Sequence, residues 1–130
     1  MSFVRSFTDL KAWQFGHALV IDIYRCVQDF PSTETFGLTS QLTRSACSVT
    51  ANISEGFERG TKKEFAHFLK ISRGSLAETQ NHLLLARDLG YLEPTIFNKL
   101  AVQSVVVHKL INALISSLSI SAPAHKRTSN

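Results

Sequence analysis

The sequence has few of the residues that break helices and few that do covalent chemistry. Its 130 residues hold six glycines and three prolines, too few for the many turns of a β-sandwich. Only two cysteines occur, Cys26 and Cys47. They sit in apolar stretches, show no zinc spacing and make no disulfide framework, so they read as reduced core thiols of a cytoplasmic protein. The histidines His17, His67, His82, His108 and His125 lie on separate segments and form no HxxxH pair. The repeated Glu-x-x-His pairs of a di-metal bundle are absent too, so no metal is expected. No GxGxxG, GxxxxGK[ST] or GxSxG motif occurs, which removes the common nucleotide and hydrolase signatures and with them any expected cofactor. Residues 1–9 contain no apolar run of signal-peptide type. The most apolar stretch, 100–118, is interrupted by Gln103, Ser104, His108, Lys109 and Asn112, so a membrane span is not expected.

What remains is a composition suited to one helical domain. Hydrophobic residues make up 44% and charged residues 18%, enough apolar surface for a core and too little charge for a disordered chain. Four amphipathic helices follow from the 3.6-residue period and its stop signals. The first starts after Thr8-Asp9, runs to about Gln28, and carries Trp13, Gly16, Val20, Ile23, Tyr24 and Val27 on its apolar stripe. The second runs from about Leu38 to Arg59 around Leu42, Ala46, Val49, Ile53 and Phe57. Gly60 suits a helix end, and Thr61 with Glu64 makes a capping-box pattern for the third. That helix runs to Leu89 with Phe65, Leu69, Ser72, Leu76 and Leu83 inward. Gly90 stops it, Pro94 opens the fourth, and the fourth ends near Ser119. Short connections imply an all-α, antiparallel up-down-up-down four-helix bundle over residues 1–122, followed by a polar tail, 123–130.

The fourth helix has more apolar surface than such a bundle buries. Leu100, Val107, Ile111, Leu114 and Leu118 form one zone; Val102, Val106, Leu110 and Ala113 form a second. The third adds Ile71, Leu85 and Leu89. The surplus reads as an oligomer interface, the alternative being a wide core stripe with tolerated surface valines.

Several polar positions could carry a site. Arg44, Ser48, Asn52, Glu55 and Arg59 recur within an arc of about 80° on the second helix. The row is either a ligand-facing surface or a solvated face with Glu55 and Arg59 as an i,i+4 pair, and spacing favours the second. Glu78 shares its face with Ile71, Ser75, His82, Leu85 and Leu89, so it is expected to be buried and bonded to His82, Ser75 or Arg44. Gly74 beside it suggests close approach of another backbone. Its functional alternative, a general base, lacks a second carboxylate or nucleophile, so no enzyme is expected. Arg59, Lys62 and Lys63 gather at one turn and are the candidate contact for nucleic-acid phosphates, the alternative being solvated turn charge. The net charge of +4 permits weak, salt-sensitive binding of that kind. Trp13 and most phenylalanines fall on core stripes, which leaves few rings for stacking on bases.

Four stretches in order carry a resemblance: Phe7-Thr8-Asp9-Leu10-Lys11-Ala12-Trp13-Gln14, Glu34-Thr35-Phe36-Gly37-Leu38-Thr39-Ser40-Gln41-Leu42, Asn52-Ile53-Ser54-Glu55-Gly56 and Gly74-Ser75-Leu76-Ala77-Glu78. Together they resemble the bacterial four-helix-bundle family of proteins encoded in intervening sequences of 23S ribosomal RNA genes. The resemblance implies a cytoplasmic bundle that assembles as a homopentamer, and kinship with the basic accessory protein of diversity-generating retroelements, which associates with nucleic acid. It implies no known activity. The motif positions it carries over are Arg44, Ser48, Asn52, Glu55, Gly56 and Arg59, then Gly74, Ser75 and Glu78. The functional expectation is a non-enzymatic oligomeric bundle acting as an RNA- or DNA-associated adaptor. The alternative is a protein-interaction scaffold without nucleic acid.

Overall fold

Helix starts and stops account for most of the architecture. A computed structural model describes residues 3–119, so the polar tail expected at 123–130 lies outside the described residues. Among the described residues the chain is all-helical: α1 (Lys11–Cys26), α2 (Leu38–Glu58), α3 (Lys62–Asp88) and α4 (Pro94–Ser119). Short 3-10 turns stand at Phe7–Asp9, Val27–Asp29 and Ser32–Glu34.

The first helix starts after Thr8-Asp9 as expected, but those residues form a 3-10 turn of their own and do not cap it. Ser6 caps that turn by accepting from the Thr8 amide, and the Asp9 carboxylate accepts from the Ser6 amide at 3.1 Å. These local bonds use up the capping groups, Leu10 is extended, and α1 begins one residue later. Gly37 precedes α2, and Glu34 Oε1 accepts from the Leu38 amide at 3.0 Å. A Cβ on Gly37 would stand 2.9 Å from that oxygen, so glycine leaves room for the cap. Gly60, with φ +88°, turns the chain out of α2. Thr61 caps α3 by accepting from the Glu64 amide, while the Glu64 carboxylate faces Arg59 at 3.7 Å. At the far end of α3, the Gly90 amide donates to Arg87 O and the Tyr91 amide to Ala86 O, a Schellman stop around a left-handed glycine.

Each helix packs on its sequence neighbours, and α4 closes the ring against α1. The centre is filled by Leu19, Ile23, Leu42, Val49, Ile53, Leu69, Leu76, Leu83, Leu100, Val107 and Ile111, each under 2% exposed. A fully buried side chain of this size contributes about 1.5–3 kcal/mol. The aromatic expectation holds at the edge of the core, where Phe7, Trp13, Phe57, Phe65 and Phe97 pack partly buried. Phe30 is the only buried phenylalanine; Phe3, Phe15 and Phe36 are exposed, and Trp13, Phe57 and Phe65 sit half-buried at the margins. Tyr24 also points outward. The narrow space between helices takes aliphatic side chains, and rings gather at the edges, as in the stack of Trp13 on His17 at 4.6 Å.

The helix α4 also revises an expectation. It is long and apolar enough to cross a membrane by length and composition, despite its polar interruptions. Here its Leu100, Ser104, Val107, Ile111 and Ile115 side is buried against the other helices.

Candidate functional site

The densest polar structure is the seam between α2 and α3. Small side chains at one spacing on each helix let the two approach closely. Thr79 donates to Ser45 Oγ at 2.9 Å, Ser75 to Ser48 Oγ at 2.9 Å, and Ser72 to the Val49 carbonyl at 2.7 Å. The partners descend α3 as they ascend α2. At the last contact, a Cβ on Gly56 would stand 2.7 Å from Phe68 Cβ and 3.3 Å from the Phe65 carbonyl. Gly56 is therefore the point of closest approach. The sequence assigned that role to Gly74, whose added Cβ would meet nothing within 4 Å. Gly74 faces outward, where its lack of a side chain serves no contact.

The polar row on α2 divides. Asn52 turns back along its own helix and donates to Ser48 O at 2.8 Å and Ser48 Oγ at 2.9 Å. Glu55 pairs with Arg59 at 3.0 Å, with both side chains about half exposed. Arg44 is exposed and opens onto a surface cleft of about 470 Å³ formed with Gln41, Ser45, Ser48, Glu78 and His82. Glu78 is exposed, against the expectation of burial. The physical reason lies in its neighbours: Ile71, Leu85 and Leu89 on its face are themselves 40–49% exposed, so that apolar flank is an outer surface and not core. Among the described residues no hydrogen bond or ion pair reaches Arg44, Glu78 or His82.

The cleft offers donors from Arg44 and His82 and an acceptor from Glu78. Its two hydroxyls are committed to the seam. Ser45 donates to Leu42 O and accepts from Thr79; Ser48 accepts from Asn52 and Ser75. Neither is hydrogen-bonded to a general base, so neither is an activated nucleophile in this arrangement. No group of His, Cys, Asp or Glu among the described residues is arranged to hold a metal ion.

The basic turn is partly neutralised. Arg59 is bonded to Glu55, lies 3.7 Å from Glu64 and stacks over the Phe68 ring at 4.9 Å. Lys62 and Lys63 are exposed on the first turn of α3. The cysteines are free and half-buried. Burial first, then Asp29 and Asp22, pushes the Cys26 thiol up to about 11, so it stays protonated near neutrality and reacts slowly. Cys47 lies 3.4 Å from the Tyr24 hydroxyl, and that contact raises the Tyr24 pKa.

On the outer side of α4, Val102 is 64% exposed and Ala113 is exposed, whereas Val106 and Leu110 are half-buried. Leu110 packs on the core edge, and with Ala113 it lines a hollow shared with Leu10, Lys11 and Ala12. The second apolar zone is thus split between the α1 margin and the open surface. Between α3 and α4 lies an apolar groove of about 260 Å³, lined by Leu83, Leu84, Phe97, Ala101 and Val105 with Gln80 and Ser104.

Comparison with known proteins gives these surfaces a family. The profile of the 23S rRNA-intervening sequence proteins matches residues 8–113. The chain belongs to that family. The match spans α1, α2 and α3 and most of α4, and so includes the seam, the cleft and the basic turn. A crystal structure of a protein of unknown function from the S23 ribosomal protein family of Bacteroides thetaiotaomicron VPI-5482 superposes on the chain with a TM-score of 0.75. It is 21% identical, and the superposition covers 81% of this chain and 95% of that one. At that identity the likeness speaks for the fold alone. None of the curated proteins compared with the chain matches it.

Within this intervening-sequence family member, the cleft brings together Arg44, Ser48 and Glu78 of the motif positions, while Ser75 is bonded to Ser48 in the seam. Sequence reasoning missed Gln41, which the +3, +4 spacing to Arg44 and Ser48 could have added to the row. It also missed Leu84 and Val105, because a surplus apolar face looks continuous on a helical wheel until the neighbouring helix is in place.

Proposed function

We propose that this 23S rRNA-intervening sequence protein is a non-enzymatic, cytoplasmic adaptor, an antiparallel up-down-up-down bundle that works as a homo-oligomer. A pentamer is the expected number from the family resemblance. Each assembly repeats the Lys62/Lys63 turn and so contacts RNA or DNA weakly through phosphates, without cofactor, metal or membrane.

The observation that carries this reading is the outward apolar band. Leu84, Val102 and Val105 are 43–64% exposed at or beside the α3/α4 groove, and Leu85 and Leu89 on the next face of α3 are 46% and 49% exposed. Exposed apolar surface of this kind marks an interface. The same α4 face carries Lys109, which suits a protein partner better than lipid.

Light scattering at micromolar concentration is expected to give a mass of several chains. Val102→Lys, at an exposed position, is expected to reduce it; a single-chain mass for the unaltered protein refutes the oligomer. For nucleic acid, a labelled structured RNA is titrated at low and near-physiological salt. Binding is expected at low salt, falling steeply as salt rises because phosphate contact releases counterions, and falling further with Lys62→Glu plus Lys63→Glu. The second reading, a protein scaffold without nucleic acid, has its own support: Glu55 and Glu64 already occupy Arg59. Absence of binding at low salt decides for it.

A further inference from the structure

We propose that Phe36 of one copy seats in the α3/α4 groove of a second copy, so that the chains join head to tail. The proposal rests on the self-association put forward above and names the contact that makes it.

Phe36 is 96% exposed, more than any other large apolar side chain described. Its corner is nevertheless fixed. The Glu34 amide donates to Pro31 O, the Thr35 amide and hydroxyl to Ser32 O, and the Gly37 amide to Glu34 O. The Glu34 carboxylate accepts from the Leu38 amide on one oxygen and from the Tyr91 hydroxyl on the other, both at 3.0 Å. An aromatic ring held in water on a hydrogen-bonded corner is a preorganised anchor, since little conformational freedom is left to lose on docking.

The groove fits that anchor. An apolar cavity of about 150 Å³ holds a benzene ring, and this groove offers about 260 Å³ beside Leu84, Phe97, Ala101 and Val105. The Glu34–Tyr91 bond ties the α1–α2 connector to the α3–α4 connector, so anchor and groove stand at one end of the bundle. Around the ring of helices, the α1–α2 pair lies opposite the α3–α4 pair. The anchor thus stands on the α1–α2 connector and the groove on α3 and α4, separate surfaces that let each copy give one contact and receive another. The charges are complementary as well. Residues 29–37 carry Asp29 and Glu34 and no base. The groove is flanked by Arg87 stacked on Phe97, by Arg73 bonded to Asn112 and by Lys109 one turn beyond Val105, against Asp88 and Glu93. One ring removes about 150–250 Å² from water, a fraction of the roughly 1,200–2,000 Å² of a stable interface. The neighbouring Leu85, Leu89 and Val102 supply apolar surface beside it.

Two variants test this together. Phe36→Asp breaks the anchor and leaves the groove; Ala101→Trp fills the groove and leaves the anchor. Each alone is expected to have a single-chain mass by light scattering, with the helical circular-dichroism signal of the unaltered protein. Mixed in equal amounts, they are expected to give a two-chain species, because one intact anchor meets one intact groove. Should Ala101→Trp misfold, Val105→Asp takes its place at an exposed position. An unaltered protein that is itself monomeric overturns both this contact and the self-association. An oligomer whose mass survives Phe36→Asp, or variants that stay monomeric when mixed, overturns the contact and leaves self-association standing.

Discussion

The α2/α3 seam and the α3/α4 face share a helix and are built in opposite ways. In the seam, serine, threonine and glycine let two backbones close on each other, and every hydroxyl finds a partner across or along the helices. On the other flank of α3, larger side chains hold α4 away. Gln80 donates to Ser104 at 3.1 Å at one end of an apolar opening, with Arg73 bonded to Asn112 at 2.8 Å farther along, and Arg87 stacks over the Phe97 ring at the other end. The seam is complete within one chain. The face leaves apolar surface exposed. Small polar residues thus mark the closed contact of this fold, and surplus leucine and valine mark the open one.

Substitutions sharpen that contrast, and the largest effect is expected at the point of closest approach. Gly56→Leu forces a side chain into Phe68 and the Phe65 carbonyl, and overpacking of this kind costs about 1–3 kcal/mol. The melting temperature is expected to fall clearly; an unchanged value would show the seam to be loose. Next comes Ser72→Ala, which removes the 2.7 Å bond to the Val49 carbonyl and is expected to cost about 1 kcal/mol in chemical denaturation. Gly74→Ala has the opposite sign. With open space around it and a helical backbone, it is expected to stabilise the protein by about 0.5–1 kcal/mol. A loss there would restore the close contact that the sequence suggested. The smallest effect belongs to Glu78→Ala, expected to match Glu93→Ala within about 0.5 kcal/mol, since both side chains are exposed.

The helices were legible because their ends are written in local chemistry. Gly60, Thr61, Gly90 and Pro94 act within a turn of where they stand, and each marks its boundary in the structure. The cap of α1 was misread because Ser6 and Asp9 satisfy each other first, a pairing that competes with helix capping over the same few residues. The candidate site was legible only in part. The +4 and +3 spacings find which residues share a face, and they brought Arg44 and Ser48 together. They do not say whether that face meets another helix. Glu78 and Gly74 were misjudged for this reason: their apolar neighbours belong to an outer surface, and a wheel gives outer and inner apolar arcs the same appearance. Phe36 was invisible to periodicity, because it lies in a connector where no period applies.

The hydrogen bond from Gln103 to Asp22 spans 81 positions, and Lys99 joins it at 3.5 Å. Contacts of that range close the longest loop and carry the greatest entropic cost, whereas α2 and α3 meet across a short turn. The expected order of events is that the α2–α3 pair forms early and α4 docks on α1 late. In stopped-flow measurements Ser72→Ala should then slow folding, while Asp22→Asn should mainly hasten unfolding. A chain caught before that last docking presents both faces of α4 at once, the buried aliphatic row and the outward valines. Adhesion between half-folded copies during synthesis is the hazard built into this order of assembly.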